Sequence, residues 1–114
     1  MKRLNRSAAI VRPRIPYVDW ANGFDDDGPT MTLEKEREQP AVFLLPEVVF
    51  DSDFDKLLRR HFEEMFEFML WLWMTEESCW PSERGFDVFC EWFDVEFQSM
   101  PIDLGDGAVL GGEL

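Results

Sequence analysis

Residues 51–74 of the chain read DSDFDKLLRRHFEEMFEFMLWLWM, and this stretch decides the fold. Apolar side chains recur in it at spacings of three and four residues, which is the period of one helical face. The acidic residues at its start suit the positive end of a helix. The stretch therefore predicts a long amphipathic helix. Its apolar stripe, which we expect to be buried, consists of Phe54, Leu57, Leu58, Phe62, Met65, Met69 and Leu72.

The amphipathic pattern of this helix is lost after Glu67, because the next seven residues are all apolar. Some of them project onto the side that is polar one turn earlier. Two interpretations stay open: aromatic residues from 80 to 89 cover this end of the helix, or the end is an exposed patch that contacts a partner. In the second case the candidate interaction residues are Trp71, Met74, Leu70, Trp20 and Trp80.

Shorter segments around the helix predict a small sheet. Residues 7–12 form a first strand that stops at Pro13. Residues 41–45 (AVFLL) are a continuous apolar run between two prolines, which is typical of a buried strand, and we place it at the centre of the sheet. From residue 94 the period changes to two, so Val95 and Phe97 share one face of a half-buried strand.

Three shorter helices complete the pattern. Residues 16–22 have proline at the start and glycine after the end, and Thr32 begins a capping box that predicts one or two helical turns. Residues 80–92 predict a further helix, with Phe86, Phe89, Cys90 and Phe93 on its buried side. The order of elements predicts an α+β fold: a sheet of about three strands packed against one long helix and two or three short helices.

Acidic and basic residues are distributed unequally along the chain. It has 114 residues, with 24 acidic against 11 basic side chains and a formal net charge of −13. Residues 1–14 hold five basic side chains and no acidic one, so we expect this basic N-terminal segment to fold back onto an acidic body or to remain solvated. The body is predicted to be one domain over residues 7–104, followed by a flexible glycine-rich tail at 105–114.

Composition excludes several functional classes. Hydrophobic residues make up 46% of the chain, which excludes a wholly disordered acidic protein. A specific nucleic-acid binder is disfavoured, because phosphate contacts need a basic face. The apolar run that ends at Met74 is far shorter than the roughly 20 residues of a membrane span, and Arg12 interrupts the short apolar run near the N-terminus. We therefore expect a cytoplasmic protein.

The two cysteines, Cys79 and Cys90, match neither a C-x-x-C redox pair nor a zinc-binding spacing. In a reducing compartment both are expected to be free thiols buried among aromatic side chains.

Metal binding finds little support in the sequence. Asp51-x-Asp53-x-Asp55 matches the first three ligand positions of a calcium loop, but Lys56 stands where glycine is needed and Phe62 where glutamate is needed. The aspartates at 25–27 are explained as a solvated loop. We predict no metal site and no cofactor.

His61 is the one histidine and lies within the apolar stripe, with Glu64 three residues on. A small hydrolase-like enzyme that uses His61 with Glu64 is an alternative function, although a histidine on an apolar face is more often a core residue.

Four longer motifs run through the chain: RPRxPYxDW at 12–20, LLPE at 44–47, WPxxRxF at 80–86 and EWFDVEFxSMxxDL at 91–104. With these motifs the chain resembles a family of small, acidic, uncharacterised bacterial proteins. The resemblance spans roughly residues 10–105. It implies a bacterial, cytoplasmic, single-domain protein and brings no activity and no catalytic residues.

We favour a non-catalytic protein-interaction or regulatory module over an enzyme. Its partner would be another protein or a second copy of the chain. Besides the His61 enzyme, a second alternative is an acidic mimic of a polyanion such as DNA, which would bind a basic protein through ordered carboxylates.

Overall fold

The computed structural model describes residues 1–24 and 30–112, so the acidic loop at 25–27 lies outside the described residues. Single turns of 3₁₀ helix precede and follow the longest helix. The described strands and helices are, in order, β1 (Lys2–Arg3), β2 (Arg6–Pro13), α1 (Ile15–Asn22), α2 (Leu33–Glu38), β3 (Ala41–Pro46), α3 (Phe54–Trp73), α4 (Phe86–Trp92), β4 (Phe93–Gln98) and β5 (Ile102–Asp103).

The main sheet has three antiparallel strands in the order β3-β2-β4, and β1 pairs with β5 in a separate two-stranded ladder. The predicted α+β class is confirmed. The prediction that residues 41–45 form the central strand is wrong, because β2 is central and β3 lies at an edge. A continuous apolar run fits both positions, since periodicity does not show what covers the outer side of a strand.

The central strand β2 buries one face completely. Ser7, Ala9 and Val11 alternate along this face and have no exposed surface. The hydroxyl of Ser7 donates a hydrogen bond to the carbonyl of Pro46 at 2.9 Å, which satisfies this buried polar side chain. The helices pack on this face and leave the opposite face of the sheet toward solvent.

Helix α3 buries Leu57, Leu58, Met65 and Met69 as predicted, but its buried face is shifted toward the end of the helix. Leu72, predicted to be buried, is exposed, whereas Phe66 and Leu70 are fully buried. The cause is the ring of Phe66, whose centroid lies 5.8 Å from that of Phe89 and 5.5 Å from that of Phe93. The covering residues of α4 and β4 therefore set the rotation of the helix.

The other helices agree in part with the sequence. Helix α1 ends at Gly23 as predicted, and the hydroxyl of Thr32 accepts a hydrogen bond from the Lys35 amide at the start of α2. Helix α4 begins at Phe86, after the extended N-terminal cap residue Gly85, and not at residue 80 as predicted; Trp80, which precedes a proline, is also extended. Cys90 on α4 is exposed, so the prediction that both cysteines are buried is wrong, although both are free.

Tyr17 connects α1 to the core. Its ring is buried, with the centroid 5.2 Å from that of Phe93, and its hydroxyl donates a hydrogen bond of 2.5 Å to the carbonyl of Met69. Burial and, to a smaller extent, the charge of Glu36 raise the pKa of Tyr17 far above its ordinary value. Trp73 makes a parallel connection, because its indole N–H donates to the carbonyl of Ala21 at 2.8 Å. The second half of α3 is thereby fixed against α1.

Candidate functional site

The all-apolar end of α3 is only partly covered. Leu70 is fully buried, which removes it from the candidate interaction residues. Trp71 keeps 44% of its surface exposed, and Leu72 is exposed beside it. One side of this end of the helix is therefore covered, and the other side is exposed.

Phe68 connects the exposed side of α3 to the sheet. Its ring meets Phe43 of β3 edge-on, with centroids 5.5 Å apart, and lies nearly parallel to the Trp71 ring at 6.2 Å. An aromatic surface thus extends from the edge strand to the end of the helix.

Two cavities flank this aromatic surface, and we call them together the edge groove. The larger, of about 580 Å³, is lined by Val42, Phe43, Glu64, Glu67, Phe68, Trp71 and Trp80. The smaller, of about 480 Å³, shares Val42 and Phe68 with the first and continues along the start of β3. Its other lining residues include Tyr17, Glu36, Gln39, Leu72 and Trp73.

The charged residues that line the edge groove are all acidic. Glu36, Glu64 and Glu67 line it, and no lysine or arginine is among its described lining residues. The Glu64 side chain is largely exposed, so its charge reaches solvent and any ligand. Arg84 lies near Trp80, with 5.8 Å from the guanidinium carbon to the ring centroid, and lines a further cavity of about 230 Å³ that shares Glu67 with the edge groove.

The basic N-terminal segment folds back onto the body, as one of the two expectations had it. Arg3 lies 3.6 Å from Glu47, and Arg12 lies 3.0 Å from Glu96. Arg14 is 3.9 Å from Asp94. These cations lie outside the lining of the edge groove and do not neutralise its glutamates.

The structure brings together two of the five candidate interaction residues. Trp71 and Trp80 line the same cavity, and the Trp80 indole donates to the carbonyl of the half-buried Met74 at 2.7 Å. Trp20 lies elsewhere, because its indole donates to the carbonyl of Cys79 and its ring packs edge-on against Phe24.

Three residues of the groove, Val42, Phe43 and Phe68, are not among the interaction residues predicted from the sequence. The pattern that identifies them is the apolar run at 41–45, whose alternate residues face opposite sides of a strand.

His61 does not form an open catalytic pair. Its Nδ1 lies 3.8 Å from the Glu64 carboxylate, beyond a normal hydrogen bond. Its Nε2 is buried and has no hydrogen-bond partner among the described residues. His61 lines neither cavity of the edge groove.

The cysteine thiols and the possible metal ligands are the other candidates for a chemical role. Partial desolvation and, after it, the charge of Asp87 raise the pKa of the Cys90 thiol, which disfavours the reactive thiolate. Within residues 1–24 and 30–112, no three side chains of histidine, cysteine, aspartate or glutamate are grouped to hold a metal ion. No helix of this part of the chain has both the length and the hydrophobicity to cross a membrane.

Comparison of the chain with protein-family models, with curated proteins and with solved structures finds no match. The resemblance to a family of small acidic bacterial proteins stays a prediction. What the chain does is therefore inferred from the geometry and charge of the edge groove.

Proposed function

We propose that the chain is a non-catalytic protein-interaction module of the cytosol and that the edge groove is its contact surface. The observation that carries the proposal is the cavity of about 580 Å³ with aromatic walls from β3, from α3 and from the segment after it. The cytosolic placement is supported by two free cysteines in a small chain.

The composition of the groove is typical of a binding surface. Tryptophan side chains in a concave, largely apolar site contribute most of the binding energy in many protein interfaces. Trp71 provides such a side chain, since it stacks on Phe68 and keeps its outer surface free. Contact with a partner would remove this apolar surface from water at about 25 cal/mol for each Å².

Binding is favoured over catalysis because His61, the one histidine of the chain, is not among the described lining residues of the groove. The Nε2 of His61 is buried, and its Nδ1 lies 3.8 Å from the Glu64 carboxylate, beyond a normal hydrogen bond. The polyanion mimic is less well supported, because carboxylates of β4 are neutralised by arginines: Glu96 by Arg12, and Asp94 by Arg37 at 2.7 Å.

The test is affinity capture from a native cell extract with three versions of the chain: wild type, Trp71→Ala and the control Phe50→Ala. Phe50 is 67% exposed and lies outside the groove, so the control removes an aromatic surface of similar accessibility. We expect the wild type and the control to retain the same partner and Trp71→Ala to lose it at least about tenfold.

Washing the captured complexes at high salt distinguishes apolar from ionic contacts, because apolar contacts persist when charges are screened. Circular dichroism checks that both variants are folded. Equal capture by Trp71→Ala and the wild type would show that the groove is not the contact surface.

A further inference from the structure

The outer edge of β3 is free. The sheet order β3-β2-β4 leaves one side of β3 without a neighbouring strand in the described part of the chain. Its pairing with β2 is continuous from Ala41 to Pro46, so no bulge twists the edge away. Alternate backbone N–H and C=O groups along such an edge are available to another strand.

The side chains of β3 do not obstruct this edge. Val42 and Leu44 point away from the core and are 60% and 52% exposed, and the strand has no charged residue. Lysines, bulges, inward charges and prolines are the usual protection of an edge strand, and of these β3 has only prolines, one before its first residue and one at its end. Only the prolines at 40 and 46 limit its length.

The edge groove runs beside this free edge. Both of its cavities are lined by Val42 of β3 and by Phe68 of α3. A strand added next to β3 would place alternate side chains over Phe68 and Trp71. Its backbone would at the same time pair with β3, which is the known mode of β-strand addition.

Charge identifies the occupant. The groove contains Glu36, Glu64 and Glu67 and no described cation, so it attracts lysine and arginine. A second copy of the chain fits poorly, because each copy carries a net charge of −13 and would bring its own glutamates to the same place.

We infer that β3 accepts an extended, positively charged segment of a partner protein as a fourth strand of the sheet. This inference rests on the proposed function and specifies the chemistry of the partner. Apolar side chains of the segment occupy the aromatic groove, and its basic side chains lie against the glutamates.

The experiment uses the synthetic nine-residue peptide KTVTKTVTK as the probe, in which lysine and valine alternate on one face of the extended peptide and threonine fills the other face. A matched peptide with glutamate in place of lysine is the control. Tryptophan fluorescence of the full chain measures binding, because Trp71 and Trp80 line the groove. Amide hydrogen exchange, followed by NMR, reports whether the amides of β3 become protected.

We expect the lysine peptide to bind at least about tenfold more tightly than the glutamate peptide and to slow exchange at β3 amides. The double variant Glu64→Gln/Glu67→Gln should weaken binding about threefold, as expected for two exposed charge pairs. The matched control Glu83→Gln/Glu91→Gln removes two exposed glutamates that do not line the groove and should leave binding unchanged.

Three results would overturn the inference: no binding of the lysine peptide, equal binding of both peptides, or binding without protection of β3 amides. Protection of β3 that rises with the concentration of the chain alone would identify a second copy as the occupant, and this would also overturn it.

Failure of the inference is distinguishable from failure of the proposed function. If Trp71→Ala abolishes partner capture but the lysine peptide does not bind, the groove is a contact surface and strand addition is wrong. If the peptide protects β3 while Trp71→Ala captures normally, the aromatic groove is not the contact surface proposed above.

Discussion

The two edges of the sheet, β3 and β4, have opposite surface chemistry. On the outer face of the sheet, β3 presents Val42 and Leu44, whereas β4 presents Asp94, Glu96 and Gln98. Both strands pair antiparallel with β2 and both have six residues, so geometry alone does not separate them. The difference shows that the chain protects one edge with charge and leaves the other apolar.

The charges of β4 are held in place. The Gln98 amide and the Arg12 guanidinium both donate to the Glu96 carboxylate, at 2.9 and 3.0 Å, and together they lower the pKa of Glu96. Asp94 accepts a hydrogen bond from Arg37 at 2.7 Å. A strand that approached β4 would have to displace or desolvate these ionised groups, which opposes pairing.

Helix α3 contacts both edge strands of the sheet, through Phe66 and Phe68, which are two positions apart. Phe66 is fully buried and packs against Phe93, the first residue of β4. Phe68 is only half-buried and packs against Phe43 of β3. We therefore expect stability to depend mainly on the β4 side, whereas the proposed contact surface lies on the β3 side.

The largest expected effect comes from removing the support of the β4 side. Phe66→Ala should lower the free energy of unfolding by about 3–5 kcal/mol, the usual cost of deleting a buried phenylalanine. Phe68→Ala, the matched control, should cost less than half as much, since part of its ring already contacts solvent. Urea unfolding monitored by circular dichroism measures both. Equal costs for the two variants would show that stability is shared evenly between the edges.

The sequence predicts which segments form strands and helices better than it predicts which of these elements lie next to one another. The first strand, the capped start of α2 and the period-two strand after residue 93 are all confirmed, because each depends on local chemistry. The edge position of β3 cannot be derived from the local sequence of the strand. An apolar run between prolines is compatible with either place, and only the pairing of β2 with β4 excludes β3 from the centre.

The candidate site was predictable only in part for a related reason. A helix with a polar face fixes its own rotation, but residues 68–74 are apolar on every side. Leu70 is buried within the same core cluster as Phe89 and Phe93, so its burial depends on tertiary packing. Trp71 could be identified as a candidate from the sequence, whereas its neighbour Val42 depends on the tertiary pairing of distant strands.

The connection between the β4 side and the β3 side of the sheet can be tested at Tyr17. This residue packs against Phe93 of β4 and also lines the smaller cavity of the edge groove. Tyr17→Phe removes the hydrogen bond to the Met69 carbonyl and should cost about 1 kcal/mol at neutral pH.

The pH dependence of this variant should also differ from that of the wild type. Burial raises the pKa of Tyr17, so the folded chain holds the phenolic proton more tightly than the unfolded chain does. The contribution is fully present below the unfolded pKa of about 10 and is lost as the pH rises above it. Urea midpoints should therefore fall more steeply above about pH 10 in the wild type than in Tyr17→Phe. Parallel slopes would show that the phenol ionises as freely in the folded chain as in the unfolded one.

The smallest effect on stability is expected from giving β3 the kind of charge that protects an edge. Val42→Lys places an ammonium group at a largely exposed position that faces Ile10 across the ladder. The free energy of unfolding should change by no more than about 0.5 kcal/mol, as for most surface substitutions. Binding of the lysine peptide should nevertheless weaken about tenfold, because the new charge repels the peptide and lies close to the glutamates that attract it.

Gln98→Lys on β4 is the matched control for this change. It adds the same charge to the other edge of the same sheet and keeps a donor for Glu96. If recognition belongs to β3, the peptide titration followed by tryptophan fluorescence should be the same for this variant as for the wild type. Equal weakening by the two lysines would mean that the peptide responds to the net charge of the chain, and the contrast between the edges would then have no part in binding.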